Sequence, residues 1–265
     1  MILLRALLLV VGWCCSLAQA TELSVAIWDP TQIAVEDRDI PRDTPGFELV
    51  AINNDIAREI CRRINARCTL HYVPFAEILP GVENQRFDMG FGNFLRAPER
   101  ERRVAYSNAI WHSSSRLVGS PAKARSFAEK LGHAVTIDKL RDARVAGVNA
   151  SKQLDYIKRI AAEQRLSAVG LPSPTGALQA LHDDNADFAL LSVTVAYMLL
   201  SGNPTQQLAF IGPATADHGL GGSVHIILPK QNAPLLRSVN RAIAAIRRDG
   251  SYHRIARQYL PLSLD

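Results

Sequence analysis

Aromatic side chains make up only 6% of the 265 residues, cysteines number four, and no segment reaches the ~20 consecutive apolar residues that a membrane span needs. A multi-span membrane protein is therefore excluded, and so is a small disulfide-dense scaffold. No His or Cys pairing has metal-ligand spacing, so neither a metal nor any other cofactor is expected. A Gly-rich phosphate loop, a His-Glu-x-x-His helix and a Gly-x-Ser-x-Gly elbow are all missing. Charge of one sign is not concentrated either: 30 Lys+Arg against 25 Asp+Glu leave +5, spread over several segments. That is weak support for a nucleic-acid partner, and none is expected. What is present, 48% hydrophobic and 21% charged residues, is ordinary globular composition for one large or two modest domains.

The first twenty residues read as a secretory signal. Arg5 forms a short basic region, residues 6–13 are apolar, and Ala18-Gln19-Ala20 is a small-x-small site for cleavage before Thr21. Export to the periplasm follows as an expectation, and loss of Arg5 lowers the formal charge to +4. Cys14 and Cys15 leave with the signal. Cys61 and Cys68 remain as an even pair in a disulfide-permitting compartment and are expected to be bonded, with two buried thiols as the alternative.

Beyond the signal, strand and helix patterns alternate. Residues 23–27 alternate as a strand, 54–65 carry Ile56, Ala57, Ile60 and Ile64 at helical spacing, and 68–73 are again strand-like. This is a βαβ unit, which implies a parallel sheet. A short helix is predicted over 77–84, a strand over 87–91, and a proline-opened helical turn over 98–103. The pattern then recurs: strand 144–148, helix 153–163, strand 167–171, helix 175–182, strand 187–191. A strand over 223–228, an amphipathic helix over 234–248 and a last helix over 252–259 close the chain. Two α/β lobes without a catalytic signature suggest a cleft used for binding.

Residues 48–68, ELVAINNDIAREICRRINARC, resemble the first helix of the polar amino-acid binding proteins of ABC uptake systems. The histidine-binding and lysine/arginine/ornithine-binding group is particularly similar, and it carries a disulfide at this cysteine spacing. Asp88, Pro98-Glu99-Arg100 and residues 104–107 match the family's Asp, Thr-x-x-Arg and Phe-Ser segment in order, and residues 115–118, 140–145, 186–187 and 249–252 extend the match. The resemblance implies an α/β chain with the type II periplasmic binding protein fold. One lobe would comprise residues 21–111 and 222–265, the other residues 112–221, with hinge strands near Trp111-His112 and at 221–223. It also implies a monomer that closes over its ligand and docks on an ABC permease with its ATPase.

The resemblance further implies roles for individual residues. Arg100 stands where the family arginine clamps a ligand carboxylate, a task suited to its planar fork of donors; otherwise it is one more solvated charge. Asp29 falls where basic-amino-acid binders place a carboxylate near the ligand side chain, or else caps the loop after the first strand. Phe75 is a cleft wall or ordinary core, and Trp28 and Trp111 are stacking platforms or structural. Ser151, Lys152 and Gln153 match the helix start that completes the carboxylate site, with Lys152 adding a charge where relatives carry a hydroxyl.

Several positions depart from the family pattern. Gly92, Asn93 and Leu95 replace small hydroxyl or glycine residues, Ala97 replaces a threonine, and Gln32 replaces an aromatic. Most consequential, Ser192 occupies the place of the aspartate that pairs with the ligand α-ammonium. A hydroxyl accepts from an ammonium without neutralising it, so free histidine, lysine and arginine should bind weakly. A ligand whose amine is absent, acylated or alkylated should fit better. The expected function is a receptor for a small carboxylate-bearing solute. The alternatives are a cyclohexadienyl dehydratase-like enzyme, for which Glu77, Asp29 and His112 are the only acid-base candidates, and a sensory receptor.

Overall fold

The computed structural model describes residues 21–29, 35–36, 47–201 and 207–259. The signal segment and Gln32 lie outside the described residues. In chain order the elements are β1 (Thr21–Trp28), β2 (Val35–Glu36), α1 (Phe47–Arg63), β3 (Ala66–Val73), α2 (Phe75–Glu83), β4 (Met89–Leu95), α3 (Pro98–Glu101) and β5 (Val104–Ser113). There follow β6 (Ser115–Gly119), α4 (Pro121–Leu131), β7 (Arg144–Val148), α5 (Lys152–Gln164), β8 (Ser167–Leu171), α6 (Pro174–His182), β9 (Phe188–Ser192) and α7 (Val193–Ser201). The chain continues through β10 (Ala209–Thr215), a 3-10 turn (Asp217–Gly219), β11 (Gly222–Pro229), α8 (Ala233–Arg248) and α9 (Ser251–Tyr259).

These strands form two sheets. The first has the order β2-β3-β1-β4-β11-β5 and the second β10-β6-β9-β7-β8. Each contains one βαβαβ unit with the same internal order: β1 runs parallel between β3 and β4, and β7 parallel between β8 and β9. Helix α1 buries Leu49, Val50, Ile52, Ile56, Ala57 and Ile60 as one apolar stripe. Asn53, wholly buried on that same helix, interrupts the sequence pattern and explains why periodicity places the start seven residues late.

An aspartate performs the same task in each unit. Asp88 accepts the backbone N–H of Ser24 through Oδ2 at 2.9 Å, and Asp187 accepts that of Arg144 through Oδ2 at 2.8 Å. Each thereby ties the entry of the third strand to the start of the first. The Asp187 carboxylate is also paired with the Arg144 guanidinium at 2.8 Å and the Lys123 ammonium at 3.1 Å. The Cys61–Cys68 disulfide joins the end of α1 to β3, with Cα atoms 6.2 Å apart.

The chain passes between the sheets twice, at Ser113–Ser115 and between Thr215 and Gly222. The two passages lie side by side. Ser115 Oγ donates to the Leu220 carbonyl at 2.6 Å, and Ser223 pairs with His112 across β11 and β5. Gly221 permits this approach, because a Cβ there would stand 2.9 Å from the Ser113 carbonyl oxygen. Among the described residues, six elements were not anticipated from periodicity: β2, β5, β6, α4, α7 and β10.

Burial raises the Asp187 carboxyl, but its bonds to Arg144 and Lys123 outweigh this and hold it at about 2, below the usual 3.8. A depressed carboxyl stabilises the fold above its unfolded value and ceases to do so as pH falls through the folded value. Asp187→Asn should therefore lower the thermal midpoint by about 3–9 °C at pH 7. Calorimetric scans should show that difference shrinking between about pH 4 and pH 2.

Candidate functional site

Parallel strands run in the same direction, so the loops that leave their carboxyl ends and the helix starts that follow gather at one edge of each sheet. Here the two edges face each other across a cleft of about 610 Å³, counted out to its open mouth. Trp28 from β1, Asn93 and Leu95 from β4, Val148 from β7, and Leu191 and Ser192 from β9 supply strand-end side chains. Helices α2, α5 and α6 contribute Phe75, Lys152 and Pro174 from their first turns, so three helix N-termini open onto the cleft. That end of a helix favours anions.

Arg100 is placed by the short helix α3. Pro98 opens that turn, and the Ala97 carbonyl accepts the Arg100 N–H at 2.9 Å. The side chain, only 8% exposed, donates from Nη2 to the Ala150 carbonyl at 2.9 Å and from Nη1 to the Leu95 carbonyl at 3.4 Å. Leu95 belongs to the first sheet, while Ala150 lies in the β7–α5 turn of the second half. Arg100 thus spans the cleft, and among the described residues no carboxylate forms an ion pair with it. Beside it, Lys152 Nζ meets Glu99 Oε1 at 2.7 Å, a second contact between the two halves. Lys152 draws the Glu99 carboxyl below its usual value through that bond.

The other expected residues divide clearly. Phe75 lies in the cleft, stacked on Phe94 with ring centres 5.0 Å apart. Ser151 lines it while its Oγ caps α5 by accepting from Leu154 N–H at 3.1 Å. Gln153 lines it too, but its Nε2 donates to Ser115 Oγ at 2.8 Å, which commits that end to the passage between the sheets. Ser192 Oγ lies 2.9 Å from Ser113 Oγ and shares one hydrogen bond with it, so a neutral hydroxyl stands where a charge partner was sought. Asn93 lines the cleft in the left-handed backbone region, at φ 57°.

Asp29 is not part of the lining. It is buried just beyond β1, where its N–H donates to the Val73 carbonyl at 3.0 Å. Trp111 is fully buried and also outside the lining. Of the remaining acid-base candidates, Glu77 faces Arg86 at the surface and His112 pairs with Ser223 Oγ at 3.1 Å. None of the three candidates lines the cleft, and among the described residues no Asp or Glu does. The apolar lining of Val148, Pro174, Leu190, Leu191 and Val195 was missed, because apolar residues at strand ends carry no distinguishing sequence signal.

Two sheets with repeated βαβαβ cores, two adjacent chain passages and a cleft at the strand ends define a type II periplasmic binding protein fold. The chain belongs to the bacterial extracellular solute-binding proteins, family 3, whose model matches residues 41–261. It is 24% identical over 233 residues to the histidine-binding periplasmic protein of Salmonella typhimurium, covering 87% of this chain and 85% of that one. To the lysine/arginine/ornithine-binding periplasmic protein of Escherichia coli (strain K12) it is 23% identical over 241 residues, with 89% and 86% covered.

Among solved structures, an ancestral arginine-binding protein bound to arginine superposes with a TM-score of 0.74 at 19% identity, over 90% of this chain and 98% of that one. The GluR0 ligand-binding core of Nostoc punctiforme with L-glutamate gives 0.71 at 19% identity, over 91% and 100%. The family is described as one of solute-binding proteins, and the relatives named are binding proteins rather than enzymes.

The half-exposed Glu99–Lys152 pair is worth about 0.2–1 kcal/mol, which bounds its effect on closure. Glu99→Gln should weaken solute binding by at most about fivefold at low ionic strength. Titrations at low salt and at 1 M salt should show that difference disappearing in the latter.

Proposed function

We propose that this chain captures in the cleft a small organic carboxylate without a charged amine and hands it to an ABC permease with its ATPase. The observation that carries this reading is Arg100: a guanidinium 8% exposed, hydrogen-bonded to two carbonyls and lacking an acid partner among the described residues. Buried charge is costly unless paired, and a ligand carboxylate is the group that completes it. Three helix N-termini and Lys152 add to the same sign of potential. An ammonium finds no charged counterpart among the described residues, since Ser192 offers only a hydroxyl and no described Asp or Glu lines the cleft.

The relatives named above bind histidine or lysine, arginine and ornithine, and another of 24% identity is the ABC transporter arginine-binding protein 1 of Escherichia coli (strain K12). Their names support delivery to an ABC permease and a periplasmic location after loss of residues 1–20. They support the ligand identity less, because among the described residues no acid lines the cleft. In this reading the monomer works as two bodies, residues 21–111 with 222–265 and residues 112–221, that close about the paired passages. Arg100, Phe75, Asn93, Ser151, Lys152, Gln153 and Ser192 contact the solute or its immediate frame, while Asp29 ties the end of β1 to the end of β3 through its N–H on the Val73 carbonyl.

Loss of a charged partner at a desolvated group costs ~2–5 kcal/mol, or roughly thirty- to several-thousand-fold in affinity. Arg100→Ala should weaken carboxylate binding by at least about thirtyfold, and Ser192→Asp should shift preference toward free α-amino acids. Calorimetric titration of the ligand-stripped protein with the twenty amino acids and a panel of carboxylates measures both. Submicromolar binding of an ordinary basic amino acid to the unaltered protein would contradict the reading.

A further inference from the structure

Two polar side chains in the cleft have no hydrogen-bond partner. Trp28 is 4% exposed, and its Nε1, which can only donate, is buried and unsatisfied. Asn93 has both Nδ2 and Oδ1 buried and unsatisfied, so whichever way its amide is assigned, one donor group and one acceptor are open. Both residues line the same space as Arg100. An unsatisfied buried polar atom is costly, and two such residues in one cleft mark positions that a bound molecule fills.

The backbone shows why Asn93 faces the cleft. Between the pairs Phe94↔His225 and Gly90↔Ile227 the β4–β11 register slips, so that Phe91, Gly92 and Asn93 stand against Ile226 alone. Such a bulge redirects a side chain out of the regular alternation, and Asn93 adopts the left-handed φ that asparagine tolerates better than most residues. Gly92 completes the bend: a Cβ there would lie 2.8 Å from the Phe94 ring.

We infer that the solute is an N-acylated amino acid, its carboxylate on Arg100 and its secondary amide on Asn93 and Trp28. This rests on the receptor reading above and narrows it. A secondary amide offers one neutral N–H and one carbonyl. The N–H meets the open Asn93 Oδ1, and the carbonyl accepts from Trp28 Nε1 or Asn93 Nδ2. A 2-oxo acid satisfies the donors but leaves Oδ1 unpaired. A free amino acid puts an ammonium in a cleft lined by no carboxylate among the described residues and leaves the Trp28 N–H without an acceptor. The apolar surface of Phe75, Leu191 and Val195 takes the acyl or side-chain carbons.

The test uses matched triples in isothermal calorimetry with the full mature chain: the N-acetyl, 2-oxo and free amino-acid forms of leucine and of phenylalanine. The N-acetyl form should bind at least about tenfold tighter than the oxo acid in one series, and tighter still than the free amino acid. Trp28→Phe, which keeps an aromatic ring and removes the N–H, should weaken N-acetyl binding by about tenfold. Asn93→Asp tolerates the same backbone and should reverse the order, favouring the free amino acid; a merely structural Asn93 would not reverse it. Should Asn93→Asp fail to fold, Trp28→Phe and the three-way order still decide. Arg100-dependent binding in which the oxo acid or free amino acid equals or exceeds the N-acetyl form overturns this inference and leaves the receptor reading standing. Absence of Arg100-dependent binding by all three forms in both series overturns both.

Discussion

A cation that is nearly out of water needs compensation, and Arg100 receives only part of it from the chain. Its guanidinium holds one carbonyl on each side of the cleft, Leu95 from the first sheet and Ala150 from the second half. Carbonyl dipoles orient the fork, but they do not neutralise its charge. Much of the surrounding structure serves that placement. Pro98 starts the turn that carries Arg100, Ser151 caps the helix behind Ala150, and Ser115 with Gln153 ties that helix to the passages between the sheets. An anion that completes Arg100 also holds the two halves together, which links binding to closure.

The duplicated βαβαβ units were legible because strand and helix patterns alternate in the same order in both, although Asn53 interrupts that of α1. The strands over 144–148 and 167–171 coincide with β7 and β8, bounded on both sides by turn residues. Other elements were not legible, and α4, α7 and β10 each have their own reason. Helix α4 buries none of its residues, so it has no strong apolar stripe to find. Helix α7, Val193–Ser201, follows β9 directly and is rich in apolar and β-branched residues, so its periodicity is masked. Strand β10 contains Gly212 and Pro213, which read as a turn; its place at the edge of the second sheet makes the proline tolerable.

At the site, Arg100 and Ser192 are read one position at a time, from distinctive chemistry and a family position, and both line the cleft. Proximity along β1 does not distinguish a side chain in the cleft from one buried beside it, which is where Asp29 lies. The open atoms of Asn93 depend on a register slip against β11, about 130 residues away, and no local pattern announces it. Trp28 was weighed as a stacking ring, whereas the group left open is its N–H.

The central claim is that the cleft completes a buried cation with an anion and, among the described residues, offers no carboxylate to an ammonium. The most direct measurement is native mass spectrometry of the protein purified without denaturation from its own host, followed by release and fragmentation of any solute that travels with it. The account predicts a small carboxylate without a charged amine. A free lysine, arginine or histidine at full occupancy would contradict it.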